Sequence, residues 1–441
     1  MRRALVCLCG LAALQGGVSA AVPNPLPAAK PEAVGMSSAR LQAMTGFFEA
    51  QAAAHKTAGY VLMVARDGKL IESAAVGRRS LEADLPMTLD TRFRIASMSK
   101  PITTVAVLML YEQGLFHLDD PVARFLPEFA DPRVYTGVDA DGKLLTVAAK
   151  RPISIRDLLT HTSGLGYLFD SKTPLGKSWL ALKIDPHGTL ADNVRLIATQ
   201  PLYFQPGEGW FYSYADDVLG RLVEVASGMP FARFLRERLF DPLKMHATGF
   251  YVPADSKPLM ATMYHHDDKG ALEAATWPDD ASDPRRWPSG GGGMISTAGD
   301  YLRFAQMLAN GGSLEGRQYL SPVTVDLMTH NQVGETAMAD FWGPDSVGLG
   351  YGLGVGVELD TRHAMNAGYP GDISWGGVFD THWVASPRTG LVAVLLTQTD
   401  PLGPGATAQR SETNIDFLNH VFAAVAVASP SLRPDPMAVL H

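Results

Sequence analysis

The sequence predicts an α/β (α+β) fold: a mainly antiparallel sheet flanked by helices, with a mostly helical lobe inserted into it. Three observations carry this. Strand-like stretches cluster at the two ends of the chain, Gly59 to Ala65 and Lys69 to Ala75 early, then Tyr351 to Leu359, Gly377 to Ala385 and Leu391 to Thr397 late. The early pair is joined by Arg66-Asp67-Gly68, a turn short enough to force antiparallel pairing. Between the ends, from about Phe93 to Thr248, the periodicity is helical. A single sheet assembled from both ends, with helices on its faces, satisfies all three.

With 441 residues, 46% hydrophobic and 19% charged, the chain is long and apolar enough for a large core. Its net charge of −8 comes with no basic block and no aromatic-basic interleaving, which excludes a nucleic-acid surface. Arg2 and Arg3, the apolar run Ala4 to Leu14 and the small residues Val18-Ser19-Ala20 read as a signal peptide over 1–20, hence a periplasmic or secreted protein. Cys7 and Cys9 both fall in that segment, so the mature chain has no disulfide and no thiolate chemistry. No later stretch is long and apolar enough for a membrane span.

Taken in order, Ala21 to Glu32 is an Ala/Pro-rich tether, and Ser37 or Ser38 caps a helix reaching about His55. After the first hairpin comes a helix opening at Ser97. Val134 to Lys150 reads as a polar hairpin around Asp141-Gly142, and Ile153 to Gly164 as a short helix closed by glycine. Tyr167 to Leu190 has little periodicity and reads as a loop, with Trp179 exposed or covering something. Helices follow over Ala191 to Thr199, Ala215 to Gly228, Phe231 to Phe240, Ala298 to Asn310 and Pro322 to His330, and Thr413 to Val427 closes the chain. One folded domain spans 35–425: a sheet lobe of 35–92 and 249–425, a helical lobe of 93–248, then a tail of 426–441.

The chemistry concentrates at Ser97-Met98-Ser99-Lys100-Pro101. Pro101 is tolerated only within a helix's first turn, so Ser97 sits at the helix tip. Its backbone N–H is then free to donate to an anion, where the helix dipole also favours negative charge. Lys100 lies one turn on, on the same face, placed to take the hydroxyl proton. An isolated Ser-x-x-Lys reads more simply as a cap and a solvated lysine. Here it is followed, in order, by Tyr212-Ser213-Tyr214 and Trp375-Gly376-Gly377.

With these three elements the chain resembles the serine β-lactamase and penicillin-binding-protein superfamily, and within it most the class C β-lactamase-like (family VIII) esterases. Leu158 to Leu165, the Pro206-Gly207 turn, Ser289 to Thr297 and Trp375 through Gln398 extend the resemblance from about Gly35 to Phe422. It implies a β-lactamase/transpeptidase-like fold and an acyl-enzyme on Ser97, with Lys100 as base alone or shared with Tyr212. The backbone N–H groups of Ser97 and Val378 would form the oxyanion hole. Trp375, Gly376, Gly377 and Tyr214 would contact substrate, and no cofactor or metal is called for. The Gly-Gly pair suits a strand edge that substrate approaches closely.

Two departures shape the expected substrate. The superfamily's lactamases and peptidases usually carry Lys-Thr-Gly where this chain has Trp375-Gly376-Gly377, and tryptophan offers a ring and one N–H rather than a cation. Tyr214 stands where an asparagine amide would hold an acylamino group. Both point away from lactams and toward neutral, short-chain acyl esters. The rivals are a β-lactamase or D-aminopeptidase/D,D-peptidase on the same fold, and a non-catalytic penicillin-recognition-like binding domain, which the presence of Lys100 and Tyr212 disfavours. His161 reads as a structural helix end, and His265-His266-Asp267-Asp268 as a solvated turn. The segments Tyr167 to Leu190 and Asp340 to Val347 are expected to line the substrate pocket.

Overall fold

The structure, a computed structural model, describes residues 25–277, 279–334, 337–343, 346–360, 367–403 and 406–427. The segment 1–20 expected to be a signal peptide and most of the expected tail of 426–441 therefore lie outside the described residues.

Eight strands form one antiparallel sheet. They are β1 (Gly59–Arg66), β2 (Lys69–Ser80), β3 (Leu85–Pro86), β4 (Leu349–Tyr351), β5 (Gly356–Glu358), β6 (Ile373–Gly377), β7 (Thr381–Ser386) and β8 (Leu391–Leu396). Their order across the sheet is β4-β5-β6-β7-β8-β1-β2-β3, so the N-terminal β1 pairs with the C-terminal β8 through Val61↔Leu396 to Arg66↔Leu391. That junction closes the long loop holding the helical lobe. Both strands are buried on both faces, and period-2 alternation divides their side chains between two cores. Tyr60, Leu62 and Val64 meet helices α1 (Ser38–Ala53) and, at the chain's end, Ala406–Ala423. Val61, Met63 and Ala65 face the main core, which contains the helices Ser99–Glu112 and Ala298–Ala309. Each fully buried aliphatic side chain contributes about 1.5–3 kcal/mol, so the central strands weld the two halves of the chain.

Helix α2 (Ser99–Glu112), preceded by a 3-10 turn over Ala96–Met98, is buried along most of its length between sheet and helical lobe. Continuing in order, α3 is Pro174–Leu180, α4 Ala215–Ser227, α5 Ala298–Ala309, α6 Ala337–Trp342 and α7 Ala406–Ala423. A hairpin of Arg133–Val138 with Leu144–Ala148 lies where the sequence predicts it.

Three expectations are corrected. Tyr351 to Leu359 is not one strand but the β4–β5 hairpin, reversed at the glycine-rich turn 352–354, where Gly354 has φ 70°. Gly377 to Ala385 is likewise split, with Gly377 ending β6 and Asp380, at φ 67°, completing the turn into β7. Within the supposed loop Tyr167 to Leu190, Thr173 caps α3 through the Gly176 N–H, and Trp179 is fully buried in the main core. Proline at N1 and a threonine cap were the legible signals for that helix.

Candidate active site

The helix tip, the tyrosine loop and the edge of β6 converge at Ser97. Ala96 takes a left-handed φ of 44°, which presents Ser97, half-buried, in the 3-10 turn that leads into α2. Such a conformation disfavours an ordinary side chain and persists where its surroundings hold it. Strand β5 pairs with β6 only at Ile373 and Ser374, so Trp375 to Gly377 have no strand on that side. The tip of α2 takes that place: a Cβ on Gly377 would lie 2.5 Å from the Ile95 carbonyl oxygen and closer still to the Thr381 hydroxyl. The glycine is thus required by the protein's own backbone rather than by an approaching substrate. Val378 follows at the turn, packed with Ala96, Met263 and Phe379. Its carbonyl accepts from Arg410 Nη1 at 3.3 Å. Behind the turn, the fully buried Asp380 carboxylate pairs with His382 Nε2 at 2.7 Å and accepts from the Thr413 hydroxyl at 3.1 Å.

Tyr212 comes from the helical lobe, immediately before α4. Trp375 Nε1 donates to its hydroxyl at 3.1 Å, and the Ser97 side chain lies near enough to the phenol to influence its ionisation. Burial raises the phenol well above its usual value, opposed by the Ser97 and Trp375 contacts, so it rests neutral. Trp375 itself is half-buried, its ring 5.6 Å from that of Tyr212, and Gly376 faces His382 across the β6–β7 pair. Tyr214 does not join this surface. Its ring packs in the core 4.5 Å from Tyr167 and 6.2 Å from Trp179, which corrects its expected contact with substrate.

Lys100 is completely buried, with its Nζ donating to the Gly291 carbonyl at 2.6 Å. The amine lies 4.4 Å from the ring centre of Tyr212 and 5.5 Å from that of Tyr167. Beneath it are two carboxylates that the sequence reading passed over, Asp216 and Asp217, 2% and 1% exposed in the first turn of α4. Burial raises both, Asp216 to about 7, while the Lys100 charge pulls each back down. Acidic residues at a helix start ordinarily read as solvated dipole partners. The missed signal was their company: Ala215, Val218, Leu219 and Gly220 leave that turn no polar face. His161 lies in the same layer, with Nδ1 3.0 Å from the Ser213 hydroxyl and Nε2 3.5 Å from Asp216. Burial and the Lys100 charge hold its imidazole well below the usual value, hence neutral.

The mouth differs from this floor. Phe169 stacks 6.0 Å from Tyr212, Trp342 at the end of α6 lies 5.7 Å from it, and the two are 5.5 Å apart. Phe169 is 47% and Trp342 42% exposed. A separate cavity of about 850 Å³ between the Pro25–Ala28 segment and the start of α5 shares no residue with this constellation.

An antiparallel sheet flanked by helices, with a Ser-x-x-Lys helix tip facing a tyrosine and a strand edge, defines a serine hydrolase of β-lactamase-like fold. Comparison with known sequences agrees: a profile described as "Beta-lactamase" matches residues 44–414, and the chain belongs to that family. Protein Rv1367c of Mycobacterium tuberculosis is 39% identical over 350 residues, covering 78% of this chain and 86% of that protein. Esterase EstB of Burkholderia gladioli is 34% identical over 393 residues, covering 84% of this chain and 93% of EstB. Among solved structures, EstCE1, titled a hydrolase with promiscuous acyltransferase activity, superposes with a TM-score of 0.72 at 30% identity, covering 88% of this chain and 99% of EstCE1.

Proposed function

We propose that the protein hydrolyses neutral carboxylic esters through an acyl-enzyme on Ser97. The observation that carries this is the Tyr212 hydroxyl, which accepts from Trp375 Nε1 and has the Ser97 side chain beside it. It joins nucleophile, helical lobe and strand edge at one point, and it does so with a tryptophan where carboxylate recognition would want a cation. The relation to EstB supports the ester reading.

In the form of the site that reacts, Lys100 is the free amine: Ser97 Oγ attacks the ester carbonyl and its proton passes to Lys100, which becomes the ammonium. The neutral Tyr212 phenol fixes the Ser97 rotamer and hydrogen-bonds the reacting oxygen. The N–H groups of Ser97 and Val378 receive the oxyanion. Lys100 returns the proton to the departing alkoxide, and water, deprotonated by the same group, releases the acid and restores Ser97. Export through the segment 1–20 belongs to this reading; the intact mass of protein recovered from the periplasm or medium tests it.

With p-nitrophenyl butyrate the wild-type enzyme is expected to release a burst of nitrophenol, and a phosphonate to add one adduct mass at Ser97. Ser97→Ala turning over at the wild-type rate would refute the assignment. Nitrocefin hydrolysed faster than any ester tested would favour the lactamase alternative.

A further inference from the structure

The mechanism above leaves both buried acids of α4 unused, and one of them grips the loop that holds Lys100. Asp217 Oδ1 accepts from the Ser289 hydroxyl at 2.6 Å and from the Gly291 N–H at 3.2 Å. The Gly291 carbonyl is the group that receives Lys100 Nζ. A continuous chain therefore runs from the Asp217 carboxylate through the Gly291 residue to the catalytic amine. The loop carrying Gly291 is fastened to α2 on both sides of this contact, by Thr103 Oγ1 to the Gly290 carbonyl at 2.8 Å and by the Met294 N–H to Ser99 Oγ at 3.2 Å. Glycine at 291 is required by the close approach. A Cβ on Gly291 would lie 2.9 Å from Asp217 Oδ2 and 3.5 Å from Lys100 Nζ.

We propose that Asp217 is a positioning residue for Lys100: it holds the Gly291 carbonyl where that carbonyl aims the amine at Ser97, and its charge stabilises the ammonium formed when Lys100 takes the Ser97 proton. The proposal rests on the reading of Lys100 as the proton acceptor. Two features single out Asp217 over its neighbour. Asp217 grips the loop, whereas Asp216 has His161 beside it. The loop in turn holds the lysine through a carbonyl, a group that accepts from the amine or the ammonium equally and so fixes position in both states.

The effect belongs on acylation rather than on substrate binding, because neither Asp217 nor Gly291 reaches the mouth. Misplacement of a reacting group by about 1 Å costs ~100-fold in rate. Asp217→Ala is therefore expected to lower kcat, and the rate of phosphonate labelling, by about 100-fold with KM within ~3-fold. Asp217→Asn, which keeps an acceptor for Ser289 and Gly291 but not the charge, is expected to recover about tenfold of that loss. Ser289→Ala should slow labelling about threefold. Melting temperatures of all variants report folding. If Asp217→Ala does not fold, Asp217→Asn and Ser289→Ala decide between them. Labelling rates within twofold of wild type for the folded variants, with Lys100→Ala inert, would overturn the role of Asp217 alone. Lys100→Ala labelling at the wild-type rate would overturn the reading of the site on which it depends.

Discussion

The floor and the mouth of this site are built on opposite principles. In the floor, Lys100, Asp216 and Asp217 are excluded from water, and the Lys100 amine and the Asp217 carboxylate each have a hydrogen-bonded partner at a fixed distance. At the mouth, Phe169 and Trp342 expose nearly half their surface, and their contacts with Tyr212 are ring against ring. Buried charge in low dielectric is costly unless every partner is in place, so the floor tolerates one arrangement. Aromatic contact is non-directional by comparison and leaves room for different ligands. On the proposed function, the floor would fix the chemistry and the mouth the choice of substrate.

The strongest way to break the contrast is Lys100→Met, which keeps length and removes charge. It leaves two buried carboxylates without their cation, a defect of about 3–5 kcal/mol for a buried pair. The sign follows from the direction of the shifts. Asp216 already stands at about 7, far above an unfolded aspartate, and loss of Lys100 pushes it and Asp217 higher. A carboxyl raised on folding contributes stability that is complete below its unfolded value near ~3.9 and disappears as pH climbs through the folded value. The variant is thus expected to lose far more stability at pH 8 than at pH 5, by urea unfolding at both. Equal losses at the two values would mean that the acids do not answer to Lys100.

A smaller effect is expected where floor meets mouth, at the end of β6. Gly377→Ala forces its new methyl against the Ile95 carbonyl, and neither backbone can yield without moving Ser97 or Val378. An activity loss of about 100-fold is expected, since misalignment on this scale costs that much. The measurement is the nitrophenyl butyrate burst rate beside a melting curve. A near-normal rate would show that the β6 edge does not set the position of the nucleophile.

How much of this was legible in the sequence follows the same division. Two of the three motifs have a local reason, proline in the first turn at Pro101 and glycines beside Trp375, while Tyr212-Ser213-Tyr214 was legible only through its place in order between them and the family resemblance. The β1–β8 junction was foreseeable from two apolar runs at opposite ends of the chain. What escaped depended on tertiary neighbours. Trp179 gives no periodic signal within a seven-residue helix, yet the fold buries it entirely. Asp216 and Asp217 look like ordinary first-turn acids until the amine of Lys100 arrives from another helix. Tyr214 matched a motif position, but its neighbours Tyr167 and Trp179 draw the ring inward. Motif spacing fixes where a backbone passes and leaves open which way a side chain turns.

The mouth offers the mildest test. Tyr167 to Leu190 and Asp340 to Val347 were the segments expected to line the pocket, and they contribute Phe169 and Trp342 beside Tyr212. On the proposed function, exposed rings at this position would favour a flat or bulky apolar group on the ester and give a small aliphatic ester little to touch. An aromatic contact contributes about 0.5–1.5 kcal/mol beyond simple burial, so Phe169→Ala is expected to lower kcat/KM for a naphthyl ester by about three- to tenfold. For ethyl acetate, followed by acid release, the change should stay within about twofold, because neither of its small groups needs the mouth. Trp342→Ala should act in the same direction, and the double variant by less than the product, since the two rings touch each other. If both esters slow equally, the aromatic pair acts by holding Tyr212 rather than by receiving substrate, and mouth and floor would have to be treated as one unit.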